Sequence, residues 1–357
     1  MQLSSESFFQ LIRLSIGKAE QLTLPEGVNW KDVEVMAGRQ GLSAIMVDGI
    51  ERLSEEDRPP RSILLKWIGE TLHSYEIRYE KYRHSIAEMA TFFNARGLKM
   101  MVLKGYACSL DWPKPQHRPA GDIDIWLFGK NSEAEEVLRK EKGLPIDNSH
   151  HHHTVFFWRG FMVENHYDFV NVYAHKSSRE LEKVFKRLGE DDTHFVELDG
   201  EIVYLPSPNL HALFLIRHLA SHFVGSCITL RQILDWAFFV QKHTGEIDWH
   251  WLTAILDEYH MTDFYNCINA ICVENLGFAA DNFPSVQFLP SLKDQVLKDI
   301  LSPEFSDEEP RGLMKRVVFK WRRWRANAWK QKLCFNESRW SAFWHGVWAK
   351  VLKPAGI

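Results

Sequence analysis

The sequence predicts an α+β protein in which a segment of short strands and helices lies between two helical regions. Three observations favour this class. Residues 1–97 carry apolar side chains at helical spacing, residues 98–206 change to short alternating or apolar runs, and helical spacing returns from Pro208 onward. We therefore predict four regions, namely a helical region at 1–97, an α+β core with a small mixed sheet at 98–206, a helical domain at 207–302, and a linker with a basic, Trp-rich helical tail at 303–357.

The N-terminal helical region contains two long periodic segments, VEVMAGRQGLSAIMVDGIERL and RSILLKWIGETLHSYEIRYEKYRHSIAEMATFFNARG. Pro59 and Pro60 stand between them, and proline interrupts a helix because it lacks an amide proton and clashes with the preceding turn. Gly97 follows the second segment, and glycine is common just past a helix C-terminus. We therefore predict that the second helix ends at Gly97.

The α+β core is predicted from alternating side chains. GDIDIWLFG places Ile123 and Ile125 on one face of a strand and Asp122 and Asp124 on the other. The other predicted elements are LKMMVLKG as a buried strand ending in Lys104-Gly105, HHHTVFFWRG and FMVENHYDFV as strands joined at Arg159-Gly160, SSRELEKVFKRLGED as a helix, and HFVELDGEIVYLP as a hairpin around Asp199-Gly200.

Composition and missing motifs exclude several classes of protein. No run of 18 apolar residues occurs, so we expect no membrane-spanning helix. The N-terminal segment lacks a basic start followed by a long apolar run, and we expect no signal peptide. The five cysteines are scattered and form no CxxC, which favours a reducing, cytoplasmic location. The sequence has no P-loop, dinucleotide-binding, zincin or serine-hydrolase motif.

The net charge of −4 conceals an uneven distribution. The segment from Arg311 to Lys353 has 12 Lys or Arg, one acid and six of the 14 Trp. Its apolar residues form two helical stripes, the first at Val317, Trp321, Trp324 and Ala328, the second from Trp340 to Leu352. We expect both stripes to pack on the body of the protein. The alternatives are contact with an anionic lipid surface, such as the inner membrane, or with nucleic acid.

The best candidate for chemistry is the pair Asp122 and Asp124. Residues i and i+2 of a strand point the same way, so the two carboxylates share a face, and hard divalent ions such as Mg²⁺ prefer oxygen ligands. Glu164 lies on the next strongly alternating strand and would complete a site for two ions that clamp a phosphoryl group. Two alternatives stay open for this pattern, which are solvated acids on an edge strand and the DxD metal site of a glycosyltransferase.

Cations near the acidic pair favour a phosphate-containing substrate. Lys104 and Gly105 end a strand where a helix begins, so a cation and backbone N–H groups are available to a polyphosphate. Arg118 lies four residues before Asp122 and could also reach a phosphate. His166 shares the predicted face of Glu164 and could act as a base or as a partner of a metal ligand.

Other polar patterns favour structural roles. The histidines at 150–153 alternate along a strand, and we interpret them as structural or surface residues in preference to a zinc site. Arg217 and His222 match the spacing of a helical ribonuclease motif, but packing is the favoured interpretation. Arg231 and Asp235 are four residues apart on a predicted helix and are expected to form a surface ion pair.

The segment LKGYACSLDWPKPQHRPAGDIDIWL resembles the LKG…(Y)P…R…DIDILV signature of an uncharacterised bacterial nucleotidyltransferase family within the DNA polymerase β-like superfamily. VENH is similar to that family's iElH strand. PSPNLHALFLIRHLASHF and LRQILDW resemble its helical region after the core, so the similarity covers residues 35–245. The wider superfamily has Gly-Ser or Gly-Gly where this chain has Lys104-Gly105.

This resemblance implies a polymerase β-like core and transfer of a nucleoside monophosphate from an NTP, with release of pyrophosphate. It implies that Asp122, Asp124 and Glu164 hold two Mg²⁺ ions, with Mn²⁺ as an alternative, and that the Lys104-Gly105 turn binds the triphosphate. The acceptor, whether small molecule, sugar, protein or RNA, is not specified. The competing hypotheses are a catalytically inactive nucleotide- or partner-binding protein and a glycosyltransferase.

Overall fold

The computed structural model describes residues 3–22, 24–25, 27–284, 287, 289–305, 310–338 and 340. Its N-terminal part consists of α1 (Leu3–Ser15), α2 (Trp30–Gln40), α3 (Ser43–Ile50), α4 (Arg61–Glu70) and α5 (Ile77–Asn94). A π-helical segment, Thr71–Glu76, makes α4 and α5 continuous. Gly97 adopts a left-handed conformation with φ +68°, and the Leu98 amide donates back to the Phe93 carbonyl. The helix therefore ends at Asn94, and Gly97 closes the turn that follows it, within three residues of the predicted end.

The middle of the chain contains all six strands of the described residues. These elements are β1 (Met101–Val102), α6 (Tyr106–Ser109), β2 (Ile123–Trp126), α7 (Asn131–Val137), β3 (His153–Trp158), β4 (Phe161–His166), α8 (Ser178–Glu190), β5 (Phe195–Leu198) and β6 (Glu201–Tyr204). The C-terminal helices are α9 (Pro208–Gly225), α10 (Leu230–His243), α11 (Trp249–Glu258), α12 (Thr262–Ala270), α13 (Pro290–Leu301), α14 (Leu313–Ala326) and α15 (Ala328–Phe335).

The strands form one mixed sheet in the order β3-β4-β2-β1-β6-β5. The pairs β2–β4 and β1–β6 are parallel, and the pairs β3–β4, β1–β2 and β5–β6 are antiparallel. The β3–β4 hairpin turns at Arg159 and Gly160, both with positive φ, which matches the right-handed twist of the strands. This arrangement confirms the predicted α+β class, with a small mixed sheet between helical segments.

Both faces of the sheet are covered, and this explains its hydrophobic pattern. Ile123 and Ile125 are fully buried in a cluster that also contains the apolar residues of α5. Trp126, on the opposite face of β2, is only 2% exposed and packs against Phe169, with ring centroids 4.9 Å apart. The face of β2 that carries Asp124 therefore points into the molecule, and β2 is not an edge strand.

The first and last helices share a second hydrophobic cluster. A direct link is the buried side chain of Gln40, at the end of α2. Its Nε2 donates to the Ile300 carbonyl at 3.0 Å, and its Oε1 accepts from the Leu230 amide at 2.7 Å. Sequence-distant helices thus form a single body that supports the sheet.

The first stripe of the tail packs on the body only in part. Val317 and Trp321 are each 55% exposed, whereas Trp324 and Ala328 are half-buried, and the neighbouring Met314 and Val318 of α14 are 74% and 50% exposed. The following helix α15 does pack, because Leu333, Cys334 and Phe335 are buried in the main cluster. The second stripe lies outside the described residues apart from Trp340. None of the described helices combines the length and apolar character needed to cross a bilayer.

Candidate active site

The register of the sheet brings four polar side chains onto one face. Asp124 of β2 is the direct partner of Glu164 on the parallel strand β4, so their side chains lie next to each other. His166 follows Glu164 by two residues and shares its face. His153 is the partner of His166 in the antiparallel β3–β4 hairpin. Two carboxylates and two imidazoles therefore meet above the centre of the sheet.

Lys104 and His166 neutralise the buried carboxylate of Asp124. Its Oδ1 lies 2.9 Å from Lys104 Nζ and 3.1 Å from His166 Nε2, and Asp124 is 1% exposed. Burial disfavours the charged forms of both bases, but the neighbouring carboxylates outweigh it. They raise the pKa of Lys104 and raise that of His166 to about 9. Glu164 lies 3.5 Å from the same His166 nitrogen.

Four other histidines around this face have lowered pKa values, which favour their neutral forms. Burial lowers the pKa of His153 to about 4, and burial together with the charge of His166 lowers that of His152 further. His218 and His222, one turn apart on α9, also have lowered pKa values because of burial and the nearby charge of Lys104. The polar face therefore presents neutral ring nitrogens beside one charged imidazole.

Gly105 occupies a position that other residues would not tolerate. Its φ of +62° favours glycine, and an added Cβ would lie 2.4 Å from the Tyr82 hydroxyl. That hydroxyl donates to the Asp122 carbonyl at 2.9 Å, which fixes the start of β2. The helix after Gly105 is a single turn, so its dipole contributes little to anion binding. The charge at this turn comes from Lys104.

Arg118 lines the cavity beside Lys104 and Asp122, but two of its three guanidinium nitrogens are bound to another side chain. Its Nε and Nη2 bind the two carboxylate oxygens of Asp235 at 2.8 and 2.9 Å, and both residues are buried. Trp112 Nε1 also donates to this carboxylate, at 2.9 Å. The predicted Arg231–Asp235 surface pair is therefore wrong, because Asp235 points inward and is taken by the arginine of the loop.

Arg231 is a candidate site residue that the sequence does not reveal. It lines the cavity beside Asp122 and Lys104, where its guanidinium has no hydrogen-bond or ion-pair partner among the described residues. Burial and the nearby charge of Arg118 lower its pKa. The helical spacing suggested Asp235 as its partner, and only the tertiary pairing of Asp235 with Arg118 leaves Arg231 unpaired.

Two adjoining cavities surround the carboxylates. The first, of about 400 Å³, is lined by Lys104, Gly105, Asp124 and Arg231 among others. The second, of about 620 Å³, is lined by Glu164 and His166 together with His151, His152, His153 and Arg217. Lys104 and Asp122 line both. His218 and His222 also line both, so the two cavities join at these residues and differ in having Arg231 on the first side and His151, His152 and His153 on the second.

Arg217 and His222 do not form a paired ribonuclease-like site in the described structure. Arg217 is 1% exposed, its guanidinium lies 4.3 Å from the centre of the Phe335 ring, and its Nη2 donates to Ser178. His222 Nδ1 lies 3.1 Å from the Ser226 hydroxyl. These contacts favour the packing interpretation, in which Arg217 joins α8 and α15 to α9.

The donor atoms fit a divalent cation. One oxygen of Asp124, Oδ2, is buried without a hydrogen-bond partner, which is costly for a carboxylate unless a cation or water binds it. Asp124, Glu164 and His166 offer ligand atoms that lie within 4.8 Å of one another. Asp122 is two residues from Asp124 on the cavity wall but is not part of that group. Of the three predicted carboxylates, Asp124 and Glu164 are thus close together, Asp122 is not grouped with them, and His166 is an additional donor.

A mixed sheet that presents adjacent carboxylates and cations to a cleft has the form of a nucleotidyltransferase. The chain belongs to the family described as "uncharacterised nucleotidyltransferase", whose sequence profile matches residues 26–277. This confirms the resemblance at the level of the family. A search of curated proteins gave no match.

A solved structure, an antigenic nucleotidyltransferase-like protein from Paracoccidioides brasiliensis, is similar at 12% identity over 45% of this chain and 76% of that chain, with a TM-score of 0.34.

Proposed function

We propose that this protein transfers a nucleoside monophosphate from an NTP to an acceptor hydroxyl in an Mg²⁺-dependent reaction. The observation that carries the proposal is the direct pairing of Asp124 with Glu164, with an unpartnered oxygen of Asp124 beside a cationic cavity. Asp122, Asp124 and Glu164 would hold the ions. Bound Mg²⁺, or Mn²⁺ in its place, would neutralise the triphosphate and favour the ionised acceptor hydroxyl.

The cavity of about 400 Å³ is proposed to bind the NTP. Lys104 and Arg231 bring two positive charges to it, and Arg118 also lines it but is paired with Asp235. An NTP would give Arg231 the anionic partner that it lacks. Arg118 is proposed as a positioning residue, because its bond to Asp235 holds the loop before β2 against α10.

The second cavity, of about 620 Å³, is proposed to bind the acceptor, because Glu164 lines it and Asp124 does not. The acceptor hydroxyl loses its proton to solvent and its oxygen forms a bond to the α-phosphorus. The bond from that phosphorus to the oxygen that bridges it to the β-phosphorus breaks, and pyrophosphate leaves. His166 is charged through its carboxylate partners, so it orients Asp124 and Glu164 and is not the base in this state.

This function predicts a distinctive pattern of label transfer. With a mixture of candidate acceptors and Mg²⁺, label from an α-³²P NTP should enter the acceptor, label from a γ-³²P NTP should leave as pyrophosphate, and EDTA should stop both. Thermal unfolding with each of the four NTPs and Mg²⁺ measures binding without an acceptor. Stabilisation by a UDP-sugar with release of UDP would instead identify a glycosyltransferase. No shift with any nucleotide would contradict the proposal.

We also propose that the protein lies in the cytoplasm, with peripheral contact to an anionic inner membrane. None of the five cysteines, all within the described residues, forms a disulfide, in agreement with a reducing compartment. Helix α14 combines its exposed apolar residues with six Lys or Arg and no acid. Apolar insertion together with cationic attraction is the pattern of helices that lie on anionic bilayers.

Vesicle binding tests this surface. The full chain should sediment with phosphatidylglycerol vesicles and not with phosphatidylcholine vesicles, and binding should weaken at high salt because the charges are screened. The variant Lys315→Glu/Lys320→Glu should lose most of this binding. Its matched control, Lys140→Glu/Lys183→Glu, changes two exposed lysines elsewhere and should bind normally. Equal binding to both kinds of vesicle, or equal binding by both variants, would contradict the proposal.

A further inference from the structure

Three histidines converge at the end of the acidic face. His152, His153 and His166 each offer a ring nitrogen, and these atoms lie within 4.8 Å of one another. The ring centroids of His153 are 4.5 Å from those of His152 and 5.2 Å from those of His166. The hairpin register explains the contact, because His153 and His166 are directly opposed on β3 and β4.

Hydrogen bonding does not account for the convergence. His153 is 6% exposed, yet neither of its ring nitrogens has a hydrogen-bond partner. His152 Nδ1 is also buried without one. The nearest carboxylate oxygen to His153 is Glu164 Oε1, at 3.7 Å from Nε2, which is too long for a hydrogen bond. A neutral imidazole buried in this way has a lone pair available for a ligand.

We propose that His152, His153 and His166 form a site for a divalent transition-metal ion with a preference for nitrogen, of which Zn²⁺ is the reference, beside the oxygen site of the proposed function. Imidazole nitrogens suit Zn²⁺ and other borderline ions, whereas Mg²⁺ prefers oxygen. His166 would release its proton and exchange its contacts with Asp124 and Glu164 for the second ion, as metal binding to histidine requires, and Asp122, Asp124 and Glu164 would keep Mg²⁺.

The location gives this site an open side. All three histidines line the second cavity, so an ion held by them is reached by small molecules. A three-ligand site that leaves a position open can bind an oxyanion or a hydroxyl of a substrate. The class of ligand that fits is an acceptor with an oxygen donor next to its reacting hydroxyl. The assignment of the acceptor rests on the proposed function, whereas binding of the ion does not depend on it.

Cobalt substitution tests the site on the full chain. Metal-stripped protein is titrated with Co²⁺ in excess Mg²⁺, which keeps the oxygen ligands occupied. We expect one equivalent of Co²⁺ to bind, with the intense visible absorption of a nitrogen-rich, low-coordinate site, and Zn²⁺ to displace it. His153→Ala and His152→Ala should each weaken binding by more than ~10-fold, the lower bound for loss of even an outer partner of a metal site.

The matched control is His84→Ala, because His84 is 67% exposed on α5 and lines neither of the two cavities. It should bind Co²⁺ like the unchanged protein, and circular dichroism should show that all variants are folded. Equal affinity in the His152, His153 and His84 variants, or displacement of Co²⁺ by Mg²⁺, would overturn the proposal. Pyrophosphate release by metal-stripped protein in Mg²⁺ alone is scored separately, so failure of either proposal can be recognised.

Discussion

Replacing Asp124 by Asn should reduce nucleotide transfer by more than ~100-fold, the upper end for loss of an outer partner of a metal site, because Asp124 is proposed as a direct ligand. The substitution conserves volume but removes the charge that Lys104 and His166 neutralise. The charges of Lys104 and His166 would then repel the Mg²⁺ that the site must bind. Initial rates of pyrophosphate release in Mg²⁺ measure this effect, and Glu164→Gln should behave in the same direction.

The control for these variants is Glu136→Gln on the exposed surface of α7, where Glu136 pairs only with Lys140 one turn away. This variant should release pyrophosphate at the wild-type rate. Folding is checked by the near-ultraviolet circular dichroism of the many tryptophans. If the folded Asp124→Asn protein transferred label at the wild-type rate, the proposed reaction would be wrong.

Replacing Asp235 by Ala should lower the free energy of unfolding by ~3–5 kcal/mol, the cost of leaving a buried charge without its partner. The side chains of Arg118 and Asp235 are each 7% exposed. Trp112 would lose its acceptor as well, which adds to the effect. Urea unfolding at neutral pH measures the change.

Two further variants show whether the loss comes from the unpaired charge. Arg118→Met/Asp235→Leu removes both charges and should be less destabilised than Asp235→Ala, since apolar replacement of a whole buried pair is often tolerated. Arg231→Gln removes a cation that has no partner among the described residues, so it should weaken NTP binding and leave stability nearly unchanged. A stability loss for Arg231→Gln as large as that for Asp235→Ala would show that Arg231 is structural.

Local sequence patterns were sufficient to predict much of the sheet and part of the site. The alternation around Ile123 predicts which face carries Asp124, and Gly97 predicts the end of a long helix. The same alternation around Glu164 predicts its face, but not that β2 and β4 are parallel neighbours. That pairing depends on packing among segments 40 residues apart.

The contacts of Arg118 could not be predicted from spacing, because its partner Asp235 is 117 residues away. The spacing suggested Arg231, on the same helix, as the partner of Asp235. Asp235 instead binds Arg118, which makes two hydrogen bonds to its carboxylate. The histidine cluster is different, because a signal was present. A tight turn at Arg159-Gly160 fixes the hairpin register and directly opposes His153 to His166, so the predicted turn could have revealed this pair.

The double hydrogen bond of Gln40 has a consequence for the order in which the chain folds during synthesis. Its partners at Leu230 and Ile300 are 190 and 260 residues further along the chain. At 5–20 residues per second, the ribosome takes roughly ten to fifty seconds to produce them. During that interval the apolar sides of α1–α3 lack the C-terminal helices against which they finally pack. The nascent chain is therefore expected to need a chaperone until Ile300 emerges, whereas the last strand of the sheet, β6, is complete at Tyr204, before either partner of Gln40 is made.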